Sequence, residues 1–329
     1  MSPDSALTAK DTYLFVQRQA LFFAGLCLML SLVAVAIFEP QVLRDPGLEL
    51  ETLTSRVNGA NAAFDRNIAS LLLVMSFGAG LIGGMLGMGG GVLKVAGLLI
   101  VFKLDIYFAR AVSIAAMFFM SLSALPQYVK QDLMLWGMVK HSLLPSVVGI
   151  LIGILLGNFL GGEILRHLFG FFVIFLSFMT MGQTILDPQE KKLEQVFVRD
   201  VPVEKKRKGI LYFIGTMHGF LCGLFGISGG IHTIPAQQVF LGVPIRPAIA
   251  NTLAISTACA GVGCILVSVI GVHQGDFTLT QILWAFVCVA IGASSGAQLG
   301  VYLSGRIDTH ILRVLVEIVG LVAGFSIVL

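Results

Sequence analysis

Two glycine runs interrupt lipid-grade sequence at matching places in this 329-residue chain, and they constrain its fold more than any other feature. Gly80-Leu-Ile-Gly-Gly84-Met-Leu-Gly87-Met-Gly89-Gly90-Gly91 aligns without gaps on Gly219-Phe-Leu-Cys-Gly223-Leu-Phe-Gly226-Ile-Ser228-Gly229-Gly230, at a constant offset of 139 residues. Further on, Gly149, Gly153 and Gly157 match Gly292, Gly296 and Gly300 at an offset of 143, the difference being absorbed near His273–Asp276. An internal repeat of this kind, embedded in apolar sequence, is the build of many secondary transporters.

The surroundings are membrane-grade throughout. Apolar residues make up 57% and charged residues 12%, with a mean hydropathy of +0.93. A soluble domain has about 25% charged residues, so soluble enzymes, nucleic-acid binders and disordered proteins are excluded from first place. The net charge of +3 is too small to imply a polyanionic partner. Cys27, Cys222, Cys259, Cys264 and Cys288 all fall in apolar runs without ligand spacing. They read as small buried hydrophobes, and no disulfide, metal or cofactor is expected.

The expected fold class is an all-α polytopic membrane protein of two homologous halves, inverted relative to one another, each with a glycine-broken helix. Residues 1–66 form a polar tail, an extra span at Gln19–Phe38 and a mainly acidic stretch. The Leu21–Phe38 run reads as a retained signal anchor. Residues 67–186 form the first repeat, with apolar pieces at Ile68–Leu86, Val92–Phe102, Ala109–Gln127, Ser142–Leu160 and Leu168–Leu186. A charged linker follows at 187–209, and the second repeat, 210–329, repeats the five pieces at Ile210–Phe225, Ile231–Leu241, Ala248–Val272, Leu279–Leu303 and Ile311–Leu329. The short second piece reaches roughly 16 Å as a helix, too little to span if straight. Five crossings per half would put the basic linker, Lys130, Lys140, Arg246 and Arg306 in the cytoplasm and invert the halves. A re-entrant short piece argues for the even count instead.

Gly80/Gly84 and Gly219/Gly223 have the four-residue spacing of close helix packing. Packing does not need three consecutive small residues, so Gly89, Gly90 and Gly91, with Ser228, Gly229 and Gly230, read as breaks that line a site. A helix restarting at such a break presents free N–H groups and the positive end of its dipole, which favour an anion. Two breaks meeting at midplane would make a two-sided anion site.

These motifs resemble the TauE/SafE sulfite-exporter family. Gly84–Leu93, its partner Gly223–Ile231 with Pro235, and the Gly242-Val-Pro244-Ile-Arg246 turn carry the likeness, and Ala109-Arg-Ala-Val-Ser113 and Ala248-Ile-Ala-Asn251-Thr252 extend it. Ala96, where a proline often stands, and Ser228, inside the second triple glycine, depart from the pattern. The resemblance covers about Ile68 to Leu329 and implies a bacterial inner-membrane permease for small, often sulfur-containing anions such as sulfite or organosulfonates.

Polar residues at membrane depth supply the remaining candidates. Lys94 could complement an anion or snorkel to the interface. His232 beside Thr233, and His218 before the second run, read first as hydrogen-bonded structure. Ser113, Asn251, Thr252 and Ser256 offer donors to an oxyanion, with interhelical bonding as the alternative. Gln127, Tyr128, Gln237 and Gln238 are weaker candidates. Arg313 and Glu317 have the spacing of an ion pair within one helix, with proton coupling the sharper reading of Glu317. Arg110 and Arg246 read as interface markers that could also draw anions to a vestibule. The expected activity is secondary transport of a small anion through the bilayer, with a proton as a possible coupling ion. An anion channel and a non-transporting accessory subunit are the alternatives. The zinc-enzyme motif His-Glu-x-x-His is absent from the sequence.

Overall fold

A computed structural model describes residues 66–86, 90–101, 103–186, 205–303 and 309–329. The expected first span, the acidic stretch, Gly87–Gly89 and most of the linker lie outside the described residues. Ten helices occur among those described: α1 (Arg66–Leu86), α2 (Gly91–Ile100), α3 (Ile106–Lys130), α4 (Trp136–Phe159), α5 (Gly162–Leu186), α6 (Lys205–Phe225), α7 (Gly230–Leu241), α8 (Ile245–Gln274), α9 (Leu279–Leu303) and α10 (Thr309–Val328). They coincide with the ten apolar pieces, and most begin a few residues earlier because polar residues such as Arg66 and Lys205 belong to the first turns of the helices. Asp105 caps α3 by accepting from the Tyr107 amide at 2.8 Å.

Among the described residues, five helices are long and apolar enough to cross a membrane: Ile106–Lys130, Trp136–Phe159, Lys208–Phe225, Ile245–Gln274 and Leu279–Leu303. Their outer faces carry Leu144, Leu155, Phe159, Ile265, Val269, Trp284 and Ile291, all well exposed. So many large apolar side chains on one outer surface are intolerable in water and suit lipid contact. The chain is a multi-pass membrane protein.

Glycine ridges set the helix packing. Gly149, Gly153 and Gly157 of α4 approach the backbone of α6, whose Gly215, Gly219 and Gly223 reciprocate against Ser142, Ser146 and Ile150. On the opposite side, Gly292, Gly296 and Gly300 of α9 approach Leu73, Phe77 and Leu81 of α1, while Gly80 and Gly84 meet Ala293 and Ala297. Both pairs run parallel, since their residue numbers rise together. Each pair joins one half of the chain to the other, so neither half packs as a separate bundle. Helices α5 and α10 instead run antiparallel, with Gly170 against Gly324 and Gly320 against Ser177. Helices α3 and α8 are likewise opposed, Phe118 meeting Gly261 and Ile114 meeting Gly263.

The short helix α2 neither crosses nor continues α1. Gly90 lies against the Ala79 carbonyl and Gly97 against the Met75 side chain, so α2 folds back along α1 as a hairpin.

Candidate functional site

The two glycine breaks meet in the interior. A Cβ on Gly91, the first residue of α2, would lie 2.6 Å from the Ser228 amide nitrogen and 2.9 Å from the Ile227 Cα. The N-terminal ends of α2 and α7 therefore face each other across a backbone contact. Gly90 takes φ 58° and ψ 15°, and Gly226 takes φ 72°, both left-handed and disfavoured for residues with a side chain. Gly89 lies outside the described residues.

Lys94, one turn into α2, is 2% exposed. It does not snorkel to the interface. It lines a small cavity of about 10 Å³ with Ser76 of α1, Val112, Ser113 and Ala116 of α3, and Val289 of α9. Ser113 donates its hydroxyl to the Gly226 carbonyl at 2.7 Å, tying α3 to the second break. The apposed helix ends and a buried ammonium make this region electropositive. Asp105, Asp132, Glu163 and Asp276, the acids with described side chains, all stand in loops or a first helical turn. No group of His, Cys, Asp and Glu suited to a metal occurs among the described residues.

Around the second break the polar groups bind mainly to one another. His218 of α6 is fully buried, its Nδ1 3.0 Å from the Thr233 hydroxyl on α7 and its Nε2 3.1 Å from the Ser256 hydroxyl on α8. Gly229 is pressed against the His218 ring, and the His232 ring lies 6.0 Å away, centroid to centroid. Ser228 accepts weakly from the Gly230 amide at 3.4 Å. Ser256, Ser228, Gly229, Gly230 and His232 thus gather here. His218 and Thr233 are the residues that bind three helices together at this point. Their roles were legible only as polar groups in apolar sequence.

Asn251 and Thr252 are engaged elsewhere. Asn251 Nδ2 donates to Gln237 Oε1 at 3.0 Å and its Oδ1 accepts from the Leu135 amide at 2.9 Å, while Gln237 Nε2 donates to the Thr252 hydroxyl at 3.1 Å. This network pins α7 and α8 to the loop that starts α4. Asn251→Leu removes the donor to Gln237 Oε1 and the acceptor of the Leu135 N–H, and should cost about 1–3 kcal/mol. The measurement is the melting temperature of detergent-purified protein, which should fall. The side chains of Arg313 and Glu317 lie outside the described residues. Arg110, near the start of α3, is enclosed by protein and 2% exposed, because the α4–α6 pair and the second break close over it.

The model of the family described as Sulfite exporter TauE/SafE matches residues 72–327. The chain belongs to this family. It is similar to the "Probable membrane transporter protein MamO" of Paramagnetospirillum magneticum, 26% identical over 268 residues, covering 74% of this chain and 40% of that one. The MamO of Magnetospirillum gryphiswaldense is 27% identical over 288 residues, 80% of this chain and 44% of its own. The chain therefore spans less than half the length of these two relatives. It is also similar to "Probable membrane transporter protein YunE" of Bacillus subtilis, 23% identical over 272 residues, covering 78% of this chain and 96% of YunE. No solved structure matches the chain.

Proposed function

We propose that this TauE/SafE protein is a secondary permease, not an enzyme, for a small oxyanion of the sulfite or sulfonate class. The observation that carries the reading is the apposition of Gly91 and Ser228, which turns two helix N-termini toward each other beside the buried Lys94. Unpaired N–H groups and dipole ends at such a junction favour anions over cations. Substrate-binding roles fall to Gly90, Gly91, Lys94 and Ser113 on one side and to Ser228–Gly230, with His232 and Ser256 behind them, on the other.

Helix pairing supports two interlocked inverted repeats. If α1–α5 match α6–α10, then α1 with α9 is the counterpart of α6 with α4, and the matched helices α5 and α10 run antiparallel. If the α1–α2 hairpin returns to the face on which it began, each half makes an odd number of net crossings, as inversion requires. By the positive-inside rule the linker face, with Lys130, Lys140 and Arg246, is cytoplasmic.

The cavity of about 10 Å³ is at the lower limit for one water and too small for an oxyanion. A carrier that alternates between open states passes through such a closed arrangement, whereas a channel needs a continuous path. The test is uptake of labelled sulfite by liposomes holding the purified full-length chain. Saturable uptake with counterflow is expected. Unsaturating single-channel currents would replace the carrier by a channel, and no uptake of sulfite or any sulfonate would sink the anion reading.

A further inference from the structure

Arg110 heads the large side chains that are fully enclosed in the described core. It lies one turn into α3, its backbone and Cγ against Gly226 and its Nη1 against Gly157. One nitrogen, Nη2, donates to Asn158 Oδ1. The guanidinium carbon stands 5.5 Å from the centre of the Tyr107 ring. Among the described residues, neither Nε nor Nη1 meets an acceptor, although both are shut away from solvent. Asp105 and Asp276 act on the group electrostatically without bonding either nitrogen.

A guanidinium held in place for structure alone would be expected to use its donors, because unsatisfied buried ones are costly. These two are held beside the second glycine break, and the neighbours lead inward. Ser113, three residues on along α3, bonds the same Gly226 and also lines the Lys94 cavity. Arg110 and Lys94 therefore stand on either side of the Gly226–Ser113 contact. Asp105 and Asp276, in loops at one end of the bundle, mark the outer side. The equivalent residue in the second half is Ile249, so the feature is one-sided.

We propose that Arg110 is a second anion-binding residue, an outer station that holds a small oxyanion between the Asp105/Asp276 face and the Lys94 cavity. This deepens the oxyanion-permease reading and rests on it. The free Nε and Nη1 hydrogens supply charge-assisted bonds to the oxyanion, and a transported ion passes from them to Ser113 and Lys94 when the halves move apart.

The test titrates purified full-length protein with sodium sulfite, at ionic strength held constant by sodium chloride, and follows the melting temperature. The proteins are the wild type, Arg110→Gln, Arg110→Lys and Lys94→Met. Glutamine keeps a donor for Asn158 but lacks the charge, so its apparent sulfite affinity should fall about tenfold or more. Lysine restores the charge without the guanidinium's donors and should lose about threefold. Unchanged affinity in Arg110→Gln overturns the proposal, and if that variant does not fold, unchanged affinity in Arg110→Lys does so. A wild-type shift that depends on Lys94 but not on Arg110 defeats this inference alone. No wild-type shift with sulfite, sulfate or taurine defeats the permease reading and this inference together.

Discussion

Lys94→Met is expected to abolish anion uptake while leaving the fold intact. The ammonium is buried on a ten-residue helix whose start abuts the other break, and it lines the cavity with Ser76 and Ser113. In a site that excludes water, one preorganised charge is worth about 3 kcal/mol or more, roughly a hundredfold in rate or affinity. Methionine has a similar reach and is apolar, so it fills the same space without the charge. Activity should therefore fall much further than stability. Initial rates of sulfite uptake and the melting temperature of the same preparation measure both. A variant that transports sulfite at the wild-type rate and KM would remove Lys94 from the site. One that loses activity only because it no longer folds would make the residue structural.

Much of the frame could be read from the sequence because two copies of one pattern stand 139 residues apart. Gly149, Gly153 and Gly157 matched Gly292, Gly296 and Gly300 by alignment, and both sets sit in the closest helix contacts, α4 with α6 and α9 with α1. The meeting of the two breaks followed from their equivalent positions. What could not be read was where each polar side chain spends its hydrogen bonds. Asn251 and Ser256 are five residues apart on one helix, yet Asn251 reaches Gln237 and Leu135 whereas Ser256 reaches His218. Helical spacing gives the face of a residue on its own helix but not the partner opposite. Arg110 shows the same limit: its position near a helix start suggested an interface, but not that other helices pack across it.

The halves share a glycine frame but not its polar decoration. At the 139-residue offset His218, Thr233 and Ser256 correspond to Ala79, Lys94 and Met117. Gly229 rests on His218, as Gly90 rests on Ala79. One half therefore brings a full positive charge to the junction and the other a neutral hydrogen-bonded cluster. For the proposed permease, the charged half would attract the anion, and the hydroxyl and imidazole groups could re-pair as it moves.

Gly90→Val should cause the largest combined loss. A residue at φ 58° and ψ 15° is left-handed, which costs an L-residue about 1–2 kcal/mol and a β-branched one more. The new Cβ would also be driven into the Ala79 carbonyl, a backbone atom that no rotamer change can clear. Together these should cost about 3 kcal/mol or more, and the start of α2 would shift away from Ser228. Gly78→Ala is the control, because a Cβ there meets nothing within 4 Å and alanine in a helix should add about 0.5–1 kcal/mol. The expected pattern is a lower melting temperature and no sulfite uptake for Gly90→Val, against an equal or higher melting temperature and normal uptake for Gly78→Ala. Full transport by Gly90→Val would mean that the junction of the two breaks is not where the anion passes.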